Sequence, residues 1–130
     1  IGKDFFEGKI TLPVILLFQK ITSSKKEKIK NIFKNNNTTF CYCVSKYPTK
    51  FNEINWNKAI NYDGFSDHTI GIIAPLLFTT LKKINGSKKI IIEKHVKLLN
   101  SKGPDASSSL DIITFSEMIS NIRIISKAKL

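Results

Sequence analysis

Two short stretches between residues 64 and 95, each closing on a histidine, restrict the folds open to this chain more than any other feature. Gly64-Phe65-Ser66-Asp67-His68-Thr69 and Ile90-Ile91-Ile92-Glu93-Lys94-His95 each begin apolar and end polar, as a short strand does on leaving a sheet. Between them, Thr69 to Asn85 reads as one helix, closed by Asn85-Gly86 in the usual way for a helix C-terminus. In a parallel sheet, one strand–helix–strand repeat sets both histidines at the carboxyl ends of neighbouring strands. Such folds hold their ligands at that edge. Two neutral imidazoles converging there supply half of a divalent-metal site.

The same unit recurs along the chain. Thr38-Thr39-Phe40-Cys41-Tyr42-Cys43-Val44-Ser45 is rich in β-branched and aromatic residues and predicts a buried strand, which Pro48 stops. Asn52 to Ile60 predicts a short helix or turn with Trp56 on its apolar side, and Tyr62 to Ser66 the next strand. Lys88 to Val96 is the third, with the continuous isoleucine run expected of a strand covered on both faces. A polar loop from Asn100 to Ser109 carries Gly103-Pro104-Asp105. The last helix is expected from Thr114, where Glu117 completes a capping box, to about Lys127, with Met118, Ile122 and Ile125 on one stripe. Three consecutive βα units give an α/β chain with a parallel sheet. Ahead of them, Ser24-Lys25-Lys26-Glu27 has capping-box spacing and starts a helix running to about Lys34, ended by Asn35-Asn36-Asn37. The chain therefore divides into a mainly helical segment, residues 1–37, and an α/β part, residues 38–130.

Composition bounds the function. At 130 residues and 42% hydrophobic, the chain has the makings of one ordinary domain. Its longest apolar run, Ile70 to Leu81, is interrupted by Pro75 and two threonines, which excludes a membrane span there. With no signal peptide in view, cytoplasm is the expected location, and the chain reads as a piece of something longer. The formal charge of +11 invites a nucleic-acid reading, but its make-up argues against one: Arg123 is the single arginine, and the lysines are spread along the whole chain. Base readers rely on arginine for bidentate contacts. A basic surface that attracts phosphorylated or carboxylated substrates is the better reading. Cys41 and Cys43, two apart on a strand, face the same side, and their spacing suits neither a zinc knuckle nor a redox pair; they are expected as buried, reduced thiols.

Two resemblances follow from particular residues. Asp4-Phe5-Phe6-Glu7-Gly8-Lys9-Ile10-Thr11-Leu12-Pro13 resembles the segment after the second aspartate-rich motif of trans-polyprenyl diphosphate synthases. Both aspartate-rich motifs are missing, and Lys3-Asp4 stands where that family has paired aspartates, so no magnesium–diphosphate clamp can be built. Over about residues 38 to 127, Cys43-Val44-Ser45-Lys46-Tyr47-Pro48-Thr49, Gly64-Phe65-Ser66-Asp67-His68-Thr69, Ile92-Glu93-Lys94-His95 and Gly103-Pro104-Asp105 resemble, in order and spacing, the sialic acid synthases. Those include the N-acetylneuraminate, legionaminate and pseudaminate synthases.

The second resemblance implies a good deal. The family fold is a (β/α)8 TIM barrel followed by a small antifreeze-like domain, of which this chain would be the last three strand–helix units, an incomplete barrel. The family's reaction condenses phosphoenolpyruvate with an N-acetylated hexose of the N-acetylmannosamine type, releasing phosphate. A divalent metal, usually Mn2+ with Mg2+ or Co2+ as alternatives, polarises the open-chain aldehyde. By this resemblance His68 and His95 match the metal ligands, Ser66 and Tyr47 match residues that contact phosphoenolpyruvate, and Asp105 matches the aspartate that approaches the sugar. Ser45 stands where some members carry asparagine. Together His68, His95 and Asp105 form the expected catalytic set. The family works as a homodimer, and its third metal ligand, phosphate-gripping lysines and sugar-binding arginine lie outside the segment resembled here. An isolated chain is therefore expected to lack synthase activity and, with open strand edges, to associate.

Each residue also has a plainer role open to it. His68 can cap the following helix, and His95 can be a hydrogen-bonded structural histidine. Asp67 suits a cap or an orienting partner, Glu93 and Lys94 an exposed strand-end pair, and Asp105 an ordinary turn. Besides the synthase reading, two alternatives stand: a prenyltransferase piece, or a non-catalytic basic domain that binds polyanions. The segment 1–37 is either prenyltransferase-like or, over residues 13–37, a diverged part of the synthase barrel.

Overall fold

In the computed structural model of the chain, residues 20–35 and 39–129 are described. The stretch likened to prenyltransferases, residues 4–13, lies outside them. The chain divides into two compact units, Ile1–Thr39 and Phe40–Leu130. In the first, helix α1 (Ser23–Asn35) starts where Lys26 N–H donates to the Thr22 carbonyl at 2.9 Å, close to the capping-box position.

The second unit is built on three parallel strands, β1 (Cys41–Cys43), β2 (Gly64–Asp67) and β3 (Ile91–Lys94), in the order β1-β2-β3. A short 3-10 turn (Phe51–Glu53) and helix α2 (Trp56–Ala59) connect β1 to β2. Helix α3 (Ile73–Ile84) connects β2 to β3, and helix α4 (Ile112–Lys127) follows and packs on α3.

Strand alternation decides what faces what. Tyr42, Phe65 and Ile92 share a register row and point toward the helices. There they meet Ile54, Ala59, Ala74 and Phe78 in the core. Phe65 is its centre: it stacks on Phe78 at 5.2 Å between ring centroids and on Tyr42 at 6.3 Å, with Trp56 tilted against it at 5.8 Å. Each such buried ring contributes about 1.5–3 kcal/mol relative to an exposed one. Lys82, from α3, donates its ammonium to the Tyr62 carbonyl at 2.8 Å and the Ile60 carbonyl at 3.2 Å, tying α3 to the end of α2. The opposite face carries the rows Cys41–Gly64–Ile91 and Cys43–Ser66–Glu93.

The three βα units are as the sequence pattern suggests, but several boundaries move. The helix expected over 69–85 begins at Ile73, because Thr69 is taken into a parallel bridge with Thr49 and Gly71, at φ 78°, turns the chain first. Pro75 then falls in the first helical turn, where its missing N–H costs nothing. Its end is as expected: Asn85 closes the helix and Gly86 takes φ 74°. The last helix starts two residues before Thr114. Asp111 is its cap, accepting from the N–H groups of Ile113 and Thr114 at 2.9 Å, so the Thr114–Glu117 box is not what begins it. Met118 is buried and Ile122 and Ile125 half-buried, as the stripe requires. The isoleucines of β3 are only half-buried, since among the described residues helices cover one face of this strand. Cys41 and Cys43 are both free thiols, but neither is fully buried: Cys41 is half-buried and Cys43 exposed, because the rows they share with Gly64 and Ile91, and with Ser66 and Glu93, lie on the face away from the helices. Burial of the sulfur, aided by the Glu93 carboxylate, pushes the Cys41 thiol up from its ordinary value.

Candidate active site

The carboxyl ends of β1, β2 and β3 converge on three aromatic rings. Tyr47 stacks on His68 at 4.0 Å between centroids and meets His95 edge-on at 5.7 Å. His68 and His95 are themselves T-shaped at 5.6 Å. The triangle follows from the sheet: Ser66 and Glu93 are register partners, so the residues two further along, His68 and His95, leave the sheet side by side.

His68 is buried and fixed at both ring nitrogens. Nδ1 lies 2.8 Å from the Val44 carbonyl oxygen, which can only accept, so Nδ1 carries the proton. Nε2 faces the Tyr47 hydroxyl at 3.0 Å and the Ser66 hydroxyl at 3.4 Å. A ligand histidine needs this arrangement: one nitrogen anchored on a carbonyl, the other lone pair turned to the site. His68 does not cap α3, which starts five residues later. Its carbonyl accepts instead from Thr49 N–H at 2.9 Å.

His95 is more open. Its Nδ1 is 3.6 Å from Asp105 Oδ2 and its Nε2 is 4.0 Å from Glu93 Oε1. Asp105 sits in the Gly103–Ser109 turn, where its carbonyl accepts from the N–H groups of Ser108 and Ser109, so it is both a turn residue and a neighbour of the histidine pair. Leu110 N–H, just beyond, donates to the His95 carbonyl at 2.9 Å and brings that turn to the strand end. The Ser66 hydroxyl donates to the Glu93 carboxylate. Burial holds the Tyr47 phenol above its usual value, with Cys43, Asp105 and Glu93 adding to it, so this group stays a hydroxyl.

Of the residues singled out from sequence, His68, His95, Tyr47, Ser66 and Asp105 are brought together. Ser45 is exposed at the end of β1, beside the Cys43 thiol rather than the histidines. The expected exposed pair Glu93–Lys94 is corrected. Glu93 is exposed, but the Lys94 side chain is fully buried and its ammonium meets Asp67 Oδ2 at 2.7 Å. The signal lay in the alternation: Asp67 and Lys94 hold the same register, carry opposite charges, and point away from Ser66 and Glu93. As donors toward a metal, the two imidazoles fit part of a ligand set. Among the described residues, no three His, Cys, Asp or Glu side chains come close enough to hold an ion by themselves.

The chain is a parallel α/β unit with a polar, histidine-bearing cluster at the carboxyl edge of its strands, the edge at which α/β folds hold ligands. The likeness to known proteins is specific: the NeuB family profile matches residues 9–129. The chain belongs to the NeuB family. It is 36% identical over 107 residues to the N,N'-diacetyllegionaminic acid synthase of Campylobacter jejuni, covering 76% of this chain and 30% of that protein. It is 37% identical over 93 residues to the pseudaminic acid synthase of Helicobacter pylori, covering 65% of this chain and 26% of that one. Among solved structures, it resembles the N-acetylneuraminic acid (sialic acid) synthetase of Leptospira borgpetersenii in complex with citrate, with a TM-score of 0.62 and 27% identity, over 83% of this chain and 39% of that chain. The chain thus spans between about a quarter and two-fifths of the length of these relatives. Because the family match begins at residue 9, inside the stretch likened to prenyltransferases, neither that reading nor a purely polyanion-binding domain is favoured. No helix among the described residues is long and apolar enough to cross a membrane.

Proposed function

We propose that this chain is the part of a nonulosonic acid synthase that supplies two metal-binding histidines, in an enzyme that condenses phosphoenolpyruvate with an N-acetylated hexose of the N-acetylmannosamine type and releases phosphate. The observation that carries this reading is the pair of histidine rings, 5.6 Å apart at the ends of adjacent parallel strands, in a chain of the NeuB family. The whole reaction needs the remainder of the barrel.

His68, through Nε2, and His95 would hold a divalent ion, Mn2+ being the first choice for imidazole and oxygen donors together. When bound, that ion supplies Lewis-acid polarisation of the sugar aldehyde. The chain's own residues bind and orient. The Tyr47 and Ser66 hydroxyls donate to the oxygens of phosphoenolpyruvate, and Ser45 stands at the same strand edge for a more distant phosphate contact. The Asp105 carboxylate, beside His95, accepts from a sugar hydroxyl and so sets the aldehyde's orientation. The net charge of +11 draws an anionic substrate toward the protein.

The test is a transplant. Residues 9–129 replace the corresponding segment of the Campylobacter jejuni synthase, and phosphate release from phosphoenolpyruvate is followed with N-acetylated sugar present. The chimera is expected to turn over, and His68→Ala in it to lose about a hundredfold or more of that rate. A folded chimera that binds phosphoenolpyruvate but releases no sugar-dependent phosphate would overturn the proposal.

A further inference from the structure

Asp67 and Lys94 are unlike any other charged pair in the described residues: both side chains are completely buried. A buried ion pair is a poor source of stability, because desolvating two charges offsets most of their attraction. Its position gives it another use. Asp67 and Lys94 are the residues immediately before His68 and His95, on the face of the sheet opposite to Ser66 and Glu93.

The bonds around the pair enclose the backbone that delivers His68. Lys94 Nζ donates to Asp67 Oδ2 at 2.7 Å and also to the Thr69 carbonyl. The other carboxylate oxygen, Asp67 Oδ1, accepts from Thr69 N–H at 2.8 Å. Residues 67 and 69, on either side of His68, are therefore both tied to residue 94, the immediate neighbour of His95. The direct pairing of β2 with β3 ends at Asp67 and Lys94; beyond it each histidine is paired only to another segment, the His68 carbonyl to Thr49 N–H and the His95 carbonyl to Leu110 N–H, and not to the other.

We propose that the Asp67–Lys94 pair is the positioning device that fixes His68 relative to His95, so that both imidazoles can serve one ion. Neither residue touches substrate; each acts through the backbone of its neighbour. This inference rests on the metal-binding reading of the two histidines.

The test uses the 130-residue chain and separates placement from metal binding. Asp67→Asn with Lys94→Met removes both charges together and leaves an amide oxygen for Thr69 N–H. Asp67→Asn alone, which also keeps an acceptor for Lys94, is the companion variant should the double variant fail to fold. Without metal, ring-to-ring nuclear Overhauser effects between the two histidines report placement, and cooperative urea unfolding reports the fold. Mn2+ is then titrated calorimetrically, with His68→Ala as reference.

The expected result is cooperative unfolding in the variants, loss or weakening of the inter-ring effect, and Mn2+ affinity lower by about tenfold or more, least for Asp67→Asn alone. An inter-ring effect of unchanged strength would overturn the positioning role, whatever Mn2+ does. Displaced rings with undiminished Mn2+ affinity would show that the pair does not serve the ion. If His68→Ala binds Mn2+ as the unaltered chain does, the metal reading itself fails, and the inference with it.

Discussion

Gly64 offers the sharpest mutational test of how β2 is seated, since β2 carries both Ser66 and His68 to the site. It is buried in the central strand, in register with Cys41 on one side and Ile91 on the other. A Cβ added there would lie 2.6 Å from Cys41 Sγ, 2.9 Å from the Ile91 carbonyl oxygen and 3.1 Å from Ile91 Cβ. The thiol sits on a rotatable bond and can swing aside. The carbonyl belongs to the parallel ladder and cannot yield unless β2 and β3 part by several tenths of an ångström. Overpacking of this kind costs about 1–3 kcal/mol, while replacing glycine in a strand returns about 0.5–1 kcal/mol. Because the clash is with backbone, Gly64→Ala is expected to fall at a net loss of about 1–2 kcal/mol. Urea unfolding followed by the fluorescence of Trp56, the only tryptophan, reads this directly, for its ring lies against Phe65 of the same strand. Cys41→Ala combined with Gly64→Ala should recover less than half of the loss. Unchanged stability in Gly64→Ala, or full recovery in the double variant, would refute the argument that the Ile91 carbonyl sets the limit.

Three further outcomes are expected. Phe78→Ala removes a fully buried ring that stacks on Phe65, and should cost about 3–5 kcal/mol in the same unfolding assay. Asp111 is held below the usual carboxylate range, chiefly by the hydrogen bond from Thr114 N–H, and Glu53 by that from Lys46. Carboxyls depressed on folding stabilise above their unfolded value, near 4, and that share is lost as pH falls through the lowered folded value. Asp111→Asn should therefore flatten the fall in melting temperature below about pH 4, and an unaltered slope would contradict the capping role. Finally, the purified chain given phosphoenolpyruvate, N-acetylmannosamine and Mn2+ should release no phosphate above background, since the resemblance places other essential groups outside this segment; robust turnover would sink that reading.

Much of this architecture was legible from residue order. The two histidine-tipped strands flanking one helical pattern imply adjacent parallel strands, and Asn85-Gly86 marks the helix end because glycine alone takes φ 74° without strain. The start of α3 was harder to read. Thr69 to Ile72 continues the helical hydrophobic pattern, yet the Thr49–Thr69 bridge, a contact twenty residues away in sequence, claims that segment for the sheet edge. Pro75 was the local clue, since proline belongs in a first turn. Asp111 does not stand out as the cap in sequence, because Thr114 and Glu117 match a capping pattern equally well; the choice is made by which side chain reaches the free N–H groups. In the site, the types of His68, His95 and Asp105 suggested their chemistry, whereas the role of Lys94 needed the register. A lysine at a strand end is ordinarily solvated, and only its alignment with Asp67 across the ladder makes burial tolerable.

With only two histidines in the chain, one measurement addresses the central claim with little ambiguity. Proton spectra of the imidazole region are recorded while Mn2+ is added in substoichiometric steps. The ring signals of His68 and His95 should broaden together and at the same Mn2+ concentration, and excess Zn2+ should reverse the broadening by displacement. Two ring signals that stay sharp, or one that broadens while the other does not, would contradict a shared ion between them.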